Sequence, residues 1–228
     1  MELTITLLII IVTSIISFSG FGNNNVVDKL IFYPPAITYQ KEWYRFFTCG
    51  LIHKDIAHLV FNMYALFLFG QGQESHLVPG VEIIFASMFG GKGKLFYLLM
   101  YVLALPVCLL PTFSKNKNNY YYKSLGASGA VSAVVFAYIM LNPMQGVGLI
   151  FIPVFIPGFL FGALYLLISY LLDRKGSSGI NHSAHIWGAL FGIAFVIITS
   201  QLFSDYPVFS NFIESVKNFE LRRLFSTY

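Results

Sequence analysis

Four polar side chains in apolar surroundings are suited to hydrolysing an acyl bond. Ser128 carries a hydroxyl that becomes a nucleophile when an imidazole such as that of His185 acts as its general base. Asn62 and His58 carry N–H groups that could stabilise the charge developing on a carbonyl oxygen. A single donor of this kind typically lowers the barrier by roughly 3 to 4 kcal/mol. No carboxylate is expected at their depth, so these residues indicate a Ser–His dyad with an oxyanion hole formed by Asn62 and His58.

The spacing of small residues indicates how the dyad is brought together. His185 begins a stripe at helical spacing that continues with Gly188, Ala189 and Gly192. A stripe without bulky side chains lets two helices approach closely. Gly126 and Gly129 flank the serine and offer a matching small surface. We therefore expect the helix that begins near Ser128 to pack against the one that carries His185.

The composition is typical of a membrane protein. Of the 228 residues, 57% are hydrophobic and only 11% are charged, and the mean hydropathy is +0.71. A soluble domain carries about a quarter charged residues. The net charge of +4 includes no basic run, which gives no support to nucleic-acid binding. Cys49 and Cys108 match no metal or redox motif, so we expect free thiols, no metal and no cofactor.

Six apolar segments predict an all-α polytopic membrane protein. They cover approximately residues 3–18, 57–70, 95–113, 126–141, 157–172 and 181–203. The second, fourth and sixth run in one direction, so their N-terminal ends share one face of the membrane. That arrangement places His58, Asn62, Ser128 and His185 at one depth. We predict a membrane domain over 1–203 and a short tail over 204–228, with an amphipathic helix over 212–225.

The connections between these segments differ in character. Residues 20–56 are rich in aromatic and basic side chains and are predicted to lie at the membrane interface. Residues 75–94 and 114–123 are predicted loops. In the third helix we expect a bend at Pro106 and an end at Pro111.

Three motifs in this order resemble those of the rhomboid family of intramembrane serine proteases. The family's H-x-x-x-N is HLVFN at 58–62, its G-x-S-G is GASG at 126–129, and its A-H-x-x-G-x-x-x-G is AHIWGALFG at 184–192. The family's interfacial W-R loop resembles Trp43-Tyr44-Arg45 with one residue inserted. The resemblance spans nearly the whole chain and implies a six-helix bundle of the bacterial type with an interfacial first loop.

The resemblance also implies roles for single residues. Ser128 is then the nucleophile and His185 the base, with Asn62 and His58 as the oxyanion hole. Glu74 resembles an acidic residue that closes the second helix and has a structural role.

One position departs from the family pattern. Many members carry, one turn after the serine, an aromatic residue that stacks on the catalytic histidine, and this chain has Ser132 there. We expect the orientation of His185 to come from a hydrogen bond to Ser132 or from packing near Trp187.

By the same resemblance, the substrates are single-span membrane proteins, cut in or near the spanning segment within the lipid bilayer. We expect a multi-pass protein of the bacterial inner membrane, with the fifth helix, which follows Pro157, as the mobile element that admits substrate. The family places the dyad near the outer surface, whereas the distribution of Lys and Arg over the loops favours the reverse orientation. The sequence leaves the oligomeric state open.

Three other readings compete. A rhomboid-like protein without activity could bind or chaperone membrane clients, but such proteins typically lack the serine or the histidine. A zinc peptidase is disfavoured because the chain has no H-E-x-x-H motif. A transporter is disfavoured because no inverted repeat or paired charges are evident in the spans.

Overall fold

The computed structural model describes residues 3–73, 78–149, 152–176 and 179–219. These residues form eleven α-helices and two short antiparallel hairpins. The helices are α1 (Ile5–Gly20), α2 (Asn24–Leu30), α3 (Pro34–Gln40), α4 (Arg45–Thr48), α5 (Ile56–Leu66), α6 (Val81–Phe89), α7 (Gly93–Asn116), α8 (Ser128–Leu141), α9 (Gly158–Lys175), α10 (His182–Phe203) and α11 (Val208–Lys217). The strands are β1 (Gly72–Gln73) with β2 (Val78–Pro79), and β3 (Gly146–Leu149) with β4 (Ile152–Pro157).

Two stretches of the described residues are long and apolar enough to cross a membrane. One covers 81–116, where a 3₁₀ turn joins α6 to α7, and the other is the 22-residue α10. Helices α1, α8 and α5, the last with its π-helical extension Phe67–Gln71, are apolar but shorter. Helix α9 has 18 residues and ends in charged side chains.

Helix α8 lies at the centre of the structure. Every residue from Gly129 to Met140 is buried, as expected of a helix that is apolar on all sides. Helices α5, α7, α9, α10 and α11 all contact it. The first residue of this central helix is Ser128, so the serine lies at the end of the best-buried element.

The first loop is ordered by a buried arginine. Arg45 is 7% exposed, and its Nη1 donates to the carbonyl oxygens of Asp28 (2.7 Å) and Ile31 (2.8 Å). Its Nε donates to Glu42. One guanidinium therefore holds the segment around α2 against α4, and the predicted interfacial loop consists of short helices.

Several boundaries differ from the sequence prediction. The fourth apolar helix begins at Ser128 rather than at Gly126, because Gly126 has φ of 116°, which a right-handed helix cannot contain. Helix α7 continues through Pro111 to Asn116. A proline inside a membrane helix is tolerated because neighbouring groups satisfy the freed carbonyl.

Other elements were not predicted at all. Helix α6 and the hairpins lie in segments expected to be loops or irregular, and the prediction of an all-α protein left the hairpins out. The amphipathic helix begins earlier than predicted, at Val208, which is buried against the core. Glu74 and residues 220–228 lie outside the described residues.

A buried glutamate closes the N-terminus of α1. Glu82 is 3% exposed and accepts hydrogen bonds from the backbone N–H groups of Ile5 (2.8 Å) and Thr6 (2.9 Å). Its Oε2 also lies 2.7 Å from Thr6 Oγ1, which is 2.9 Å from Tyr97 Oη. Helix N-terminal N–H groups have no partners within the helix, so Glu82 satisfies them and joins α1 to α6 and α7.

Glu82→Gln is expected to lower the midpoint of thermal unfolding in detergent micelles. The amide nitrogen of glutamine cannot accept a hydrogen bond. A buried donor that is bonded to the carboxylate would therefore lose its acceptor, at a cost of roughly 1 to 3 kcal/mol. Glu214→Gln on the exposed side of α11 is the matched control. Equal midpoints for the two variants would show that the Glu82 network does not stabilise the fold.

Candidate active site

The structure brings Ser128 and His185 into hydrogen-bond contact. His185 Nε2 lies 2.8 Å from Ser128 Oγ, and the pair is partly buried. Ser128 begins α8, and His185 lies in the first turn of α10. As the first residue of its helix, Ser128 has a backbone N–H without a partner inside the helix. Ser128 therefore carries both a hydroxyl, in contact with His185, and a backbone N–H that is available as a donor.

The two helices approach until their backbones touch. A Cβ added at Gly188 would strike the carbonyl oxygen of Gly129, and one at Gly192 would strike that of Ala133. On each helix the contact residues are four apart, so they lie on one face. The predicted small-residue stripe is thus in contact with α8 at Gly129, next to the serine. Gly126, the other glycine expected there, lies outside this crossing.

The start of α10 is fixed by its cap. Asn181 Oδ1 accepts from the backbone N–H of Ala184 (3.1 Å) and from Thr112 Oγ1 of α7 (3.1 Å). Asparagine is a preferred N-cap residue because its side chain satisfies an unpaired helix N–H. The cap therefore sets both the first turn, which carries His185, and its position against α7.

The loop before Ser128 is held from the first loop of the chain. Phe32 and Ser124 exchange backbone hydrogen bonds of 3.0 and 3.1 Å, and the N–H of Gly126 donates to the carbonyl of Cys49 (2.9 Å). A Cβ at Gly126 would lie 2.6 Å from His58 Cε1. Gly126 therefore serves a loop in which the ring of His58 packs on the backbone.

His53 accepts a hydrogen bond from the residue before the serine. Its Nε2 accepts from the N–H of Ala127 (3.3 Å), and its Nδ1 lies 2.9 Å from Ser17 Oγ. The Ser17 hydroxyl donates its single proton to the carbonyl of Leu51 (2.9 Å), so Nδ1 must be the protonated nitrogen. This network requires a neutral ring. Burial, followed by the nearby charge of His58, lowers the pKa of His53 to about 4, against a smaller opposing effect of Asp55.

The predicted oxyanion-hole residues are arranged around the same loop. Asn62 is buried, and its Nδ2 donates to the carbonyl of His58 in the preceding turn (2.9 Å). The second Nδ2 proton is not used in that bond. Among the described residues, neither Asn62 nor His58 hydrogen-bonds to Ser128. The structure thus brings His58 beside the serine loop and leaves Asn62 bonded to its own helix.

Sequence reasoning missed the aromatic residue beside His185. The ring of Tyr165 on α9 stacks on the imidazole, with centroids 6.1 Å apart and planes at 26°. The Ser132 hydroxyl bonds to the carbonyl of Ser128 and to Tyr165 Oη, each at 2.8 Å, and not to His185. Trp187, the other expected contact region, is 46% exposed. With 24 Phe and 14 Tyr in the chain, no sequence signal singles out Tyr165.

His53 should make stability depend on pH. Its pKa is lower in the folded protein, so the unfolded chain binds more protons between pH 6.5 and about 4. The free energy of unfolding should therefore fall as the pH drops through this range, with a His53 contribution of up to about 1.4 kcal/mol per pH unit. Denaturant titrations in micelles should show a shallower pH dependence for His53→Gln. Parallel curves would exclude this role.

Comparisons with known proteins agree with the motifs and the geometry. Residues 40–202 match the family model described as Rhomboid domain. RHOMBOID-like protein 12, mitochondrial, from Arabidopsis thaliana is 33% identical over 147 residues, which are 62% of this chain and 42% of that protein. Presenilin-associated rhomboid-like protein, mitochondrial, from Mus musculus is 32% identical over 155 residues, 66% of this chain and 36% of the relative. The chain thus aligns with less than half of the length of each of these relatives. The Rhomboid domain match covers most of this chain, and the chain belongs to the rhomboid family.

Proposed function

We propose that the protein is an intramembrane serine endopeptidase in which Ser128 is the nucleophile and His185 the general base. The observation that carries this proposal is the 2.8 Å contact between Ser128 Oγ and His185 Nε2. A hydroxyl and an imidazole at this distance can exchange a proton. An inactive client-binding protein would have no need to maintain such a contact, which makes that alternative the weaker one.

The proposed reaction has two steps, acylation of Ser128 and hydrolysis of the acyl-serine ester. Ser128 Oγ attacks the scissile carbonyl carbon while His185 Nε2 takes the hydroxyl proton, and the imidazolium then gives that proton to the leaving amine. Water next attacks the acyl-serine ester, and the imidazole takes its proton and returns one to Ser128. The products are a carboxylate and an amine, and no cofactor takes part.

Three donors are available for the oxyanion. The backbone N–H of Ser128 points from the start of α8, where the helix dipole also favours negative charge. Asn62 has an unused Nδ2 proton, and His58 lies beside Gly126. We infer that Asn62 turns towards the oxyanion when the tetrahedral intermediate forms, since catalytic hydrogen bonds often tighten only in the complex.

The apolar helices form a six-span membrane bundle in this proposal. Helices α1, α5, α7, α8, α9 and α10 are the spans, and α2 to α4 lie at the membrane interface. Rhomboid proteins are integral membrane proteins, and the bacterial inner membrane is the location we propose from the sequence. The names of the two relatives contain the word mitochondrial, so localisation of the tagged protein tests the proposed location.

The proposed substrates are single-span membrane proteins. A peptide bond within a helix is shielded, so a substrate must unwind locally before Ser128 can reach its carbonyl. We propose that α9 moves aside to admit it. In support, only Gly158, Gly162 and Ser169 of α9 are buried, so little packing holds this helix.

Loss of either dyad residue should abolish labelling by a fluorophosphonate probe. Ser128→Ala removes the nucleophile and His185→Ala its base, and each should slow labelling and cleavage of a membrane substrate by at least about a thousandfold. Ser19→Ala, an exposed serine on α1, should label at the rate of the wild type. Labelling that persists in Ser128→Ala would favour a binding function.

A crosslinker with a reducible spacer, joined to cysteines introduced in α5 and α9, should slow cleavage of a membrane substrate. The tether prevents α9 from moving aside, whereas the small fluorophosphonate probe should still react with Ser128. Reduction with dithiothreitol restores cleavage and provides the control in the same protein. Unchanged cleavage in the tethered protein would exclude α9 as the entry element.

A further inference from the structure

We infer that Tyr165 on α9 orients the imidazole of His185, and that it supplies from a different helix the aromatic face that many rhomboid proteins carry one turn after the serine. This positioning role rests on the proposed peptidase function. It explains how the dyad is arranged in a chain that has Ser132 at the family's aromatic position.

The geometry is that of an aromatic pair. The Tyr165 and His185 rings have centroids 6.1 Å apart and planes 26° from parallel, within the range in which offset rings attract each other. The ring of His182 makes an edge-to-face contact with the same imidazole, with centroids 5.6 Å apart and planes at 81°. The imidazole of His185 is therefore in contact with two neighbouring rings.

The hydroxyl of Tyr165 links its ring to α8. Ser132 Oγ donates its single proton to the carbonyl of Ser128, so the 2.8 Å contact with Tyr165 Oη is donated by the tyrosine. The chain of bonds runs from Tyr165 through Ser132 to the backbone of Ser128. The ring that contacts the base is thus tied to the residue that carries the nucleophile.

The imidazole needs such a support because it has few bonds of its own. Within the described part of the chain, Ser128 Oγ is the one hydrogen-bond partner of the His185 ring. In a Ser–His–Asp triad the carboxylate holds the ring in the correct orientation. Here a rotation about the side-chain torsions would break the contact with Ser128, and the face of Tyr165 opposes that rotation.

The small residues of α8 and α9 make room for this arrangement. A Cβ at Gly162, one turn before Tyr165, would lie 3.2 Å from Phe136 Cε1 and 3.3 Å from Ile139 Cδ1 of α8. The absence of a side chain at Gly162 therefore lets α9 approach α8 closely. The short side chain of Ser132 then leaves space for the Tyr165 ring above His185.

Two substitutions separate the ring from the hydroxyl. Tyr165→Leu removes the aromatic face and should lower kcat for a membrane substrate by about 3- to 10-fold, the factor that corresponds to an aromatic pair, with KM changed by less than about 2-fold. Tyr165→Phe keeps the face and should retain most of kcat. Tyr170→Leu, an exposed aromatic residue on the same helix, is the matched control and should behave as the wild type.

A second measurement reports on the stack without requiring cleavage. In protein labelled with ¹³C-histidine, the ring signals of His185, assigned from their loss in His185→Gln, should shift in Tyr165→Leu because the ring current is removed, and shift little in Tyr165→Phe. Tyr165→Met, whose flexible side chain fills irregular gaps, replaces the leucine variant if that variant does not fold.

The outcomes separate this inference from the proposed function. An unchanged His185 signal in Tyr165→Leu, or an equal loss of kcat in the Phe and Leu variants, would overturn the positioning role even if Ser128 is the nucleophile. If the wild type neither cleaves a membrane substrate nor reacts with fluorophosphonate, the peptidase proposal fails, while the shift of the His185 signal still tests the stack.

Discussion

The backbone contact between α8 and α10 determines the rest of the site. In a bilayer the apolar surface of a helix gains little by leaving lipid, so close packing of small residues is a main source of helix association. Gly188 lies against the carbonyl of Gly129. Gly129 follows Ser128 by one residue, and Gly188 follows His185 by three. A displacement of reacting groups by about 1 Å can cost a hundredfold in rate. The absence of side chains at these two glycines therefore sets the distance between hydroxyl and imidazole.

The serine loop is held by a second set of contacts, and these are polar. The backbone of Gly126 and Ala127 is bonded to Cys49 and His53, and the ring of His58 covers Gly126. Buried backbone groups without partners are costly, so these bonds favour a single loop conformation. The helix crossing fixes the distance between α8 and α10, while the loop contacts fix the direction in which the chain enters α8. Both are needed before Ser128 presents its hydroxyl and its N–H together.

The sequence predicted the parts of the site that repeat at helical spacing. The stripe from His185 to Gly192 predicted the crossing with Gly129, and the parallel course of alternate helices predicted that Ser128 and His185 would lie at one depth. Glu82 and Tyr165 could not be found in this way, because each acts through contacts with residues far along the chain. Glu74 was singled out by the resemblance, as an acidic residue that closes the second helix, whereas Glu82, within an unpredicted helix, caps α1. The four-residue spacing of His58 and Asn62 predicted a shared helix face, but the direction of the Asn62 side chain also depends on its packing in the fold.

The proposed role of Tyr165, in a chain that has Ser132 at the family's aromatic position, indicates what the site requires physically. An imidazole that lacks a carboxylate partner needs a flat surface on one side, and that surface serves equally well from α8 or from α9 if it reaches the same place. With the aromatic residue on α9, however, the proposed orientation of His185 depends on the position of a helix that has only three buried residues. A displacement of α9 that opens the bundle also removes the ring from His185. If α9 admits the substrate as proposed, full alignment of the dyad requires α9 to return against α8, and entry of the substrate and alignment of the base are then successive events.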